Sequence, residues 1–252
     1  MPNWERFYKK STDYELYRPR YPAELLDLLG REAGLSSFTS VADVGSGTGL
    51  LSELLLRSKC NLYCVEPNEE MRRVSVGKFA HEEKCKIIEG TAENTSLLDD
   101  SMDIVTVGQA FHWFDPIRAR IEFGRILKRG GKVVLIWNTI TESKEGMNFE
   151  YEKLVRQYSR DFHGSGVNST SLTALTDFYG GNFCRFKIKN YQRLSLEGML
   201  GRYLSASYSI TEDDPRFEDM RHDFEKTFRK YQSNGEIVIE YETDVFIGTI
   251  NK

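Results

Sequence analysis

The residues most able to do chemistry begin at Val41-Ala42-Asp43-Val44-Gly45-Ser46-Gly47-Thr48-Gly49-Leu50, where an apolar run enters a glycine-rich turn. Glycine admits positive φ and lets the backbone approach a ligand closely. The helix expected after the turn, about Thr48–Arg57, begins with N–H groups that lack intrahelical partners. A dinucleotide fingerprint would place its third glycine at position 50, where this chain has Leu50. The pattern G-x-x-x-x-G-K-[ST] of a phosphate-binding loop is also missing. Downstream, Glu66 ends the apolar run Cys64-Val65 and is followed by Pro67-Asn68-Glu69-Glu70-Met71. A carboxylate at such a strand end can accept both hydrogen bonds of a ribose diol. His112 follows another apolar run and can act as a general base or simply position a substrate. Arg18 and Arg20 can each grip a carboxylate in a bidentate fashion.

These residues need elements to hold them. Strands are expected at Ser40–Asp43, Asn61–Glu66, Lys86–Glu89, Ile104–Gly108 and Lys132–Trp137, with helical patterns between most of them. That alternation implies βαβ units and a parallel sheet, whose ligands sit at the carboxyl edge. A helix is expected over Pro22–Ala33, with Leu25, Leu26, Leu29 and Ala33 inward and Gly34 as its stop. Another begins near Pro116, with Ile117, Ile121, Gly124 and Leu127 on one face and Gly130-Gly131 ending it. Phe217, Met220, Phe224, Phe228 and Tyr231 mark the apolar face of a late helix. Phe186–Ser195 and Glu236–Ile247 read as two late strands, and residues 147–180 and 197–232 as mostly helical.

The series Asp43-Val44-Gly45-Ser46-Gly47-Thr48-Gly49, Glu66-Pro67-Asn68 with Met71, Glu89-Gly90-Thr91-Ala92-Glu93, Gly108-Gln109-Ala110 and Leu127–Lys132 resembles, in order, the motifs of class I S-adenosylmethionine (AdoMet)-dependent methyltransferases. Tyr14–Pro22 (Y-x-x-x-R-P-x-Y-P), the His112-Trp113-Phe114 segment and Leu204–Tyr208 are similar to the type 11 group that includes trans-aconitate methyltransferases. The resemblance implies a Rossmann-like α/β fold: a seven-stranded, mostly parallel sheet with helices on both faces, an antiparallel last strand and a helical lid. It implies one methyltransferase domain over 1–252, with an AdoMet-binding core at about 35–138. The N-terminal segment and about 139–232 would form the lid. AdoMet is the implied cofactor, held by Gly45, Ser46, Gly47, Thr48, Gly49, Glu66, Pro67, Asn68, Met71, Thr91, Ala92, Glu93, Gln109 and Ala110, with Tyr14 and Arg18 from the lead-in. Met71 is either a packing surface for adenine or a plain core residue. Arg18 can hold the methionine carboxylate of AdoMet or a carboxylate of the substrate. Trp113, Arg20 and Tyr21 are expected to face substrate. Arg193, Arg202 and Tyr203, in the lid region, can meet an anionic one. Asp43 is expected to orient the glycine loop.

A net charge of −4 gives no electrostatic reason to expect nucleic acid or an anionic membrane as partner. No apolar run is long enough to span a bilayer, and the charged start has no signal-peptide core. Cys60 and Cys64 would lie roughly 13 Å apart along a strand, too far for a disulfide, and no cysteine pair has zinc spacing. Free thiols fit a cytoplasmic protein. The expected activity is methyl transfer to a small molecule, possibly a carboxylate. Methylation of RNA or protein is an alternative. An NAD-dependent oxidoreductase is a third, disfavoured by Leu50.

Overall fold

The computed structural model describes residues 15–159 and 170–250, so Tyr14 and Phe162 lie outside the described residues. In chain order it holds α1 (Glu24–Ala33), β1 (Ser40–Val44), α2 (Leu50–Leu56), β2 (Asn61–Val65), α3 (Glu69–Lys78), β3 (Cys85–Ile88), β4 (Met102–Gly108), a 3₁₀ turn (Phe111–Trp113), α4 (Pro116–Ile126) and β5 (Leu127–Ile140). Then follow α5 (Gly146–Tyr158), α6 (Leu172–Tyr179), β6 (Phe183–Leu194), α7 (Leu196–Leu204), α8 (Phe217–Tyr231) and β7 (Ile237–Gly248). The seven strands form one sheet in the order β3-β2-β1-β4-β5-β7-β6. β1 to β5 pair in parallel, and β7 runs antiparallel between β5 and β6. The Rossmann-like methyltransferase architecture expected from the sequence is the one observed.

The strand sequences explain why both faces are covered. A strand buried on two sides reads as a continuous apolar run, because successive side chains point to opposite faces. In β1, Val41 packs with Leu25 and Leu29 of α1 and Leu51, Leu54 and Leu55 of α2. Ala42 and Val44 belong to the opposite core, with Phe123 of α4 and Leu175 and Phe178 of α6. A third apolar cluster caps the carboxyl end of β5 and the neighbouring ends of β6 and β7. It joins Ile140, Leu194 and Ile239 to Tyr151 and Leu154 of α5, Met199 and Tyr203 of α7, and Met220 and Phe224 of α8.

Two local expectations change. In α4, Ile117 and Ile121 are 73 % and 68 % exposed, whereas Ala119, Phe123 and Ile126 are buried. Gly124 and Leu127 of the expected face are buried, so only its amino-terminal half turns outward, and the stripe carrying the large ring turns inward. The helix ends at Ile126, with Leu127 extended. Gly130, at φ +80°, instead sits inside β5, where the register with β4 jumps from Met102↔Leu127 to Ile104↔Lys132. Gly34 stops α1 in the left-handed region as expected, while Leu28 joins Leu25 and Leu29 as a buried residue. The four cysteines are free thiols. Among the described residues no helix is long and apolar enough to cross a membrane, and no group of His, Cys, Asp and Glu could hold a metal ion.

Candidate functional site

The carboxyl ends of β1, β2 and β4 meet at one edge, and the glycine loop lies there. Gly45, Gly47 and Gly49 all have positive φ, at +69°, +58° and +84°. Their surroundings differ. A Cβ on Gly45 would fall 2.7 Å from Ala110 Cβ, and one on Gly49 would fall 2.4 Å from the Phe79 ring. A Cβ on Gly47 would meet nothing within 4 Å. The outer glycines therefore let the loop pack on the protein, and the middle one faces open space. Two hydroxyls of the same loop, Ser46 Oγ and Thr48 Oγ1, are buried without a partner among the described residues. A buried hydroxyl left unpaired costs about 1–3 kcal/mol.

Glu66 lies just past β2, 6 % exposed. Its Oε2 accepts from Gly47 N (2.9 Å) and its Oε1 from Asn68 N (2.8 Å). Burial pushes its carboxyl above the usual range, and the two backbone N–H groups partly offset this. Each carboxylate oxygen keeps a further lone pair for a ligand hydroxyl. Asn68 caps α3, its Oδ1 accepting from Met71 N (3.0 Å), and Met71 is buried. Pro67 O accepts from the Arg72 guanidinium. Ser75 Oγ, on α3, donates to Gly47 O (2.9 Å), so one helix secures both sides of the loop.

Asp43 does not touch the loop. Its carboxyl accepts from Ser52 Oγ of α2 (2.5 Å) and Thr106 Oγ1 of β4 (3.0 Å). It therefore anchors α2 to the strands beneath the loop. Burial, aided by the Glu66 carboxylate, raises its pKa to about 6, against those two hydrogen bonds.

After β3, Thr91 and Asn94 form an isolated bridge that presents Ala92 and Glu93; Ala92 is buried and Glu93 Oε1 accepts from Asp115 N (2.9 Å). After β4, Gln109 takes φ +59°, and its Nε2 donates to Asn138 O (3.0 Å). Ala110 follows against Gly45, and the 3₁₀ turn places Phe111 in an aromatic core with Trp137 and Phe178. His112 is exposed and Trp113 half-buried, their rings packed side by side with centroids 4.8 Å apart. Partial desolvation of the His112 imidazole, with the Arg18 charge, lowers its pKa to about 4.

The lead-in 15–22 runs along this edge as a strap. Asn138 Nδ2 donates to Pro19 O (3.3 Å), and Asn190 Nδ2 to Arg20 O (2.8 Å). Gln192 Nε2 donates to Tyr17 O (2.9 Å), and the Tyr17 ring covers Gly201 of α7, where a Cβ would fall 2.4 Å from it. Tyr21 lies over Gly108, with its hydroxyl 2.6 Å from where a Cβ would stand. Arg18 Nη2 donates to Ser205 O (3.1 Å), which links the strap to the end of α7.

Most of the expected residues come together here. Arg20 does not: it is about half exposed and pairs with Glu15 and Glu53 on the surface. Arg193 is exposed and stacks on Tyr191. Tyr203 is a core residue whose hydroxyl donates to Tyr158 O (2.8 Å). Asn138 was not among the expected site residues. Its Oδ1 also accepts from Thr243 Oγ1 (2.6 Å), making it the knot of strap, β4 loop and β7. The available signal was a lone amide closing the apolar run of β5.

The arrangement fits AdoMet on structural grounds: an open approach over Gly47, two hydroxyls without a partner among the described residues, a buried carboxylate at the end of β2, and a buried methionine beside it.

A family profile described as "Methyltransferase domain" matches residues 42–135. An uncharacterized methyltransferase of Mycobacterium tuberculosis is 40 % identical over 129 residues, covering 51 % of this chain and 50 % of that one. The chain thus matches about half the length of such curated relatives. The uncharacterized methyltransferase YcgJ of Bacillus subtilis is 30 % identical over 72 % of this chain and 71 % of its own. The crystal structure of YcgJ superposes with a TM-score of 0.57 at 20 % identity, covering 90 % of this chain and 98 % of that one.

Proposed function

This chain belongs to the methyltransferase domain family, and from that premise we propose that it transfers the methyl group of AdoMet to a small-molecule acceptor. When bound, AdoMet supplies a methyl on a sulfonium, already a good leaving group. The protein's task is then proximity, alignment and exclusion of water. The observation that carries the reading is the glycine loop, open only over Gly47 and faced by Glu66. In it, Glu66 receives the ribose hydroxyls, while Met71, Ala92 and Glu93 border the adenine. Gln109 and Ala110 border the methionine part, with the Arg18 charge on the side of its carboxylate. Thr48, Ser46, Gly45, Gly49, Pro67, Asn68 and Thr91 shape the cradle. The strap and the helices after Asn138 act as a lid over the acceptor, with Trp113 and Tyr21 on its wall.

His112 acts by position. A base whose conjugate acid has a pKa of about 4 takes up protons poorly at neutral pH. That suits an acceptor already carrying its nucleophilic lone pair, such as a carboxylate. The measurement is transfer of label from methyl-labelled AdoMet to a panel of small organic acids and, separately, to RNA. Label entering the acids supports the reading. Label entering RNA alone overturns it and favours the macromolecular alternative.

A further inference from the structure

Arg202, on α7, is a buried cation without an acidic partner among the described residues. It is 5 % exposed. Its Nε donates to Tyr241 Oη (3.3 Å), and its Nη1 is buried with no acceptor among the described residues. Beyond its own desolvation, the groups that bear most on its charge are the phenols of Tyr241, Tyr151 and Tyr208. Tyr151 and Tyr241 are themselves 1 % exposed. Burial holds the Tyr151 phenol well above its usual range, so no phenolate stands there to balance the charge. Proteins bury charges when these are paired, because the desolvation cost of a lone ion is large.

The position of this cation links it to the site. Ser205 Oγ donates to Arg202 O (2.9 Å), and Ser205 O accepts from Arg18. Arg18 bears electrostatically on both Tyr151 and His112. Tyr241 Oη also donates to Gln192 Oε1 (3.3 Å), and Gln192 Nε2 holds the strap at Tyr17 O.

Resting on the methyl-transfer reading, we propose that Arg202 binds a carboxylate of the methyl acceptor, with Tyr151, Tyr208 and Tyr241 around it and Arg18 at its entrance. A guanidinium matches a carboxylate in plane and spacing, and the Tyr151 hydroxyl can donate to the same oxygens, while the Tyr241 proton stays directed to Gln192. One guanidinium among neutral phenols balances one negative charge, which suits a carboxylate better than a phosphate dianion.

The test uses succinate, tricarballylate, their amides and inorganic phosphate as probes, titrated calorimetrically into AdoMet-loaded protein. Wild type, Arg202→Met and Arg202→Lys are compared, and each is first titrated with AdoMet alone. The expected result is that an acid binds wild type and its amide does not. Arg202→Met should weaken the acid roughly a hundredfold, within the range for a lost charge-assisted hydrogen bond, and Arg202→Lys by less. AdoMet affinity should stay unchanged, and the melting temperature of Arg202→Met should not fall, since a lone buried charge is removed. Equal binding of acid and amide, binding of phosphate alone, or acid affinity unchanged in either variant would overturn the proposal. So would failure of every acid to bind wild type that binds AdoMet. If Arg202→Met does not fold, Arg202→Lys and the acid–amide comparison decide. Failure of AdoMet itself to bind counts against the methyl-transfer reading and is read separately.

Discussion

At the scale of single residues, His112 and Glu66 make opposite demands on their surroundings. The His112 ring is kept neutral by partial desolvation and by Arg18. His112→Ala should therefore lower kcat by about tenfold or less, with AdoMet affinity intact. A loss of about a thousandfold in kcat would instead indicate general-base catalysis and an amine or alcohol acceptor. Glu66 is buried yet tied to Gly47 and Asn68. Glu66→Ala should weaken AdoMet by about 1.5–3 kcal/mol in calorimetry, the range for hydrogen bonds to a charged group. Unchanged affinity would remove Glu66 from the site. Both residues were legible as site candidates because a polar side chain closing an apolar run has few structural uses. Arg20 read as well as Arg18 did, since sequence does not reveal that Glu15 and Glu53 surround one of them. Arg202 was visible only as a lid residue that can meet an anion, because its burial depends on α5, α7 and β7 converging.

The glycine loop gives its prediction at the scale of an element. Gly47→Val should leave the fold intact at a backbone cost of about 1–2 kcal/mol, the penalty of a side chain in the left-handed region. It should abolish the rise in melting temperature caused by AdoMet. Gly49→Val drives its Cβ into the Phe79 ring and should lower the melting temperature even without ligand. Equal effects of the two substitutions would contradict the assignment of an open middle glycine. The five parallel strands were readable because short apolar, β-branched runs alternate with helical patterns. The inward face of α4 was not. Ile117 and Ile121 look more apolar than Ala119, but the neighbouring β5 and α6 accept the stripe carrying Phe123. Gly130-Gly131 likewise fits a helix stop or a strand irregularity equally well until the register of β5 is known.

At the scale of the molecule, Asp43 makes stability depend on pH. Its carboxyl titrates at about 6 in the fold, against about 3.8 in an unfolded chain. The fold thus holds this proton more tightly than the unfolded chain does. The stability it confers is full below about pH 4 and is lost as pH rises through about 6, on the order of 2–3 kcal/mol. Urea denaturation should show that loss in wild type and a flatter profile in Asp43→Asn. Glu66, raised in the same direction, adds to the slope and persists in the variant. A profile identical in the two proteins would mean that Asp43 ionises freely. The account's central claim is that the carboxyl edge around Gly47 is an AdoMet site, and one calorimetric comparison tests it most directly. AdoMet and NAD are titrated separately into the wild-type protein. The account predicts saturable one-to-one binding of AdoMet and no heat from NAD. Saturable binding of NAD with none of AdoMet would contradict it.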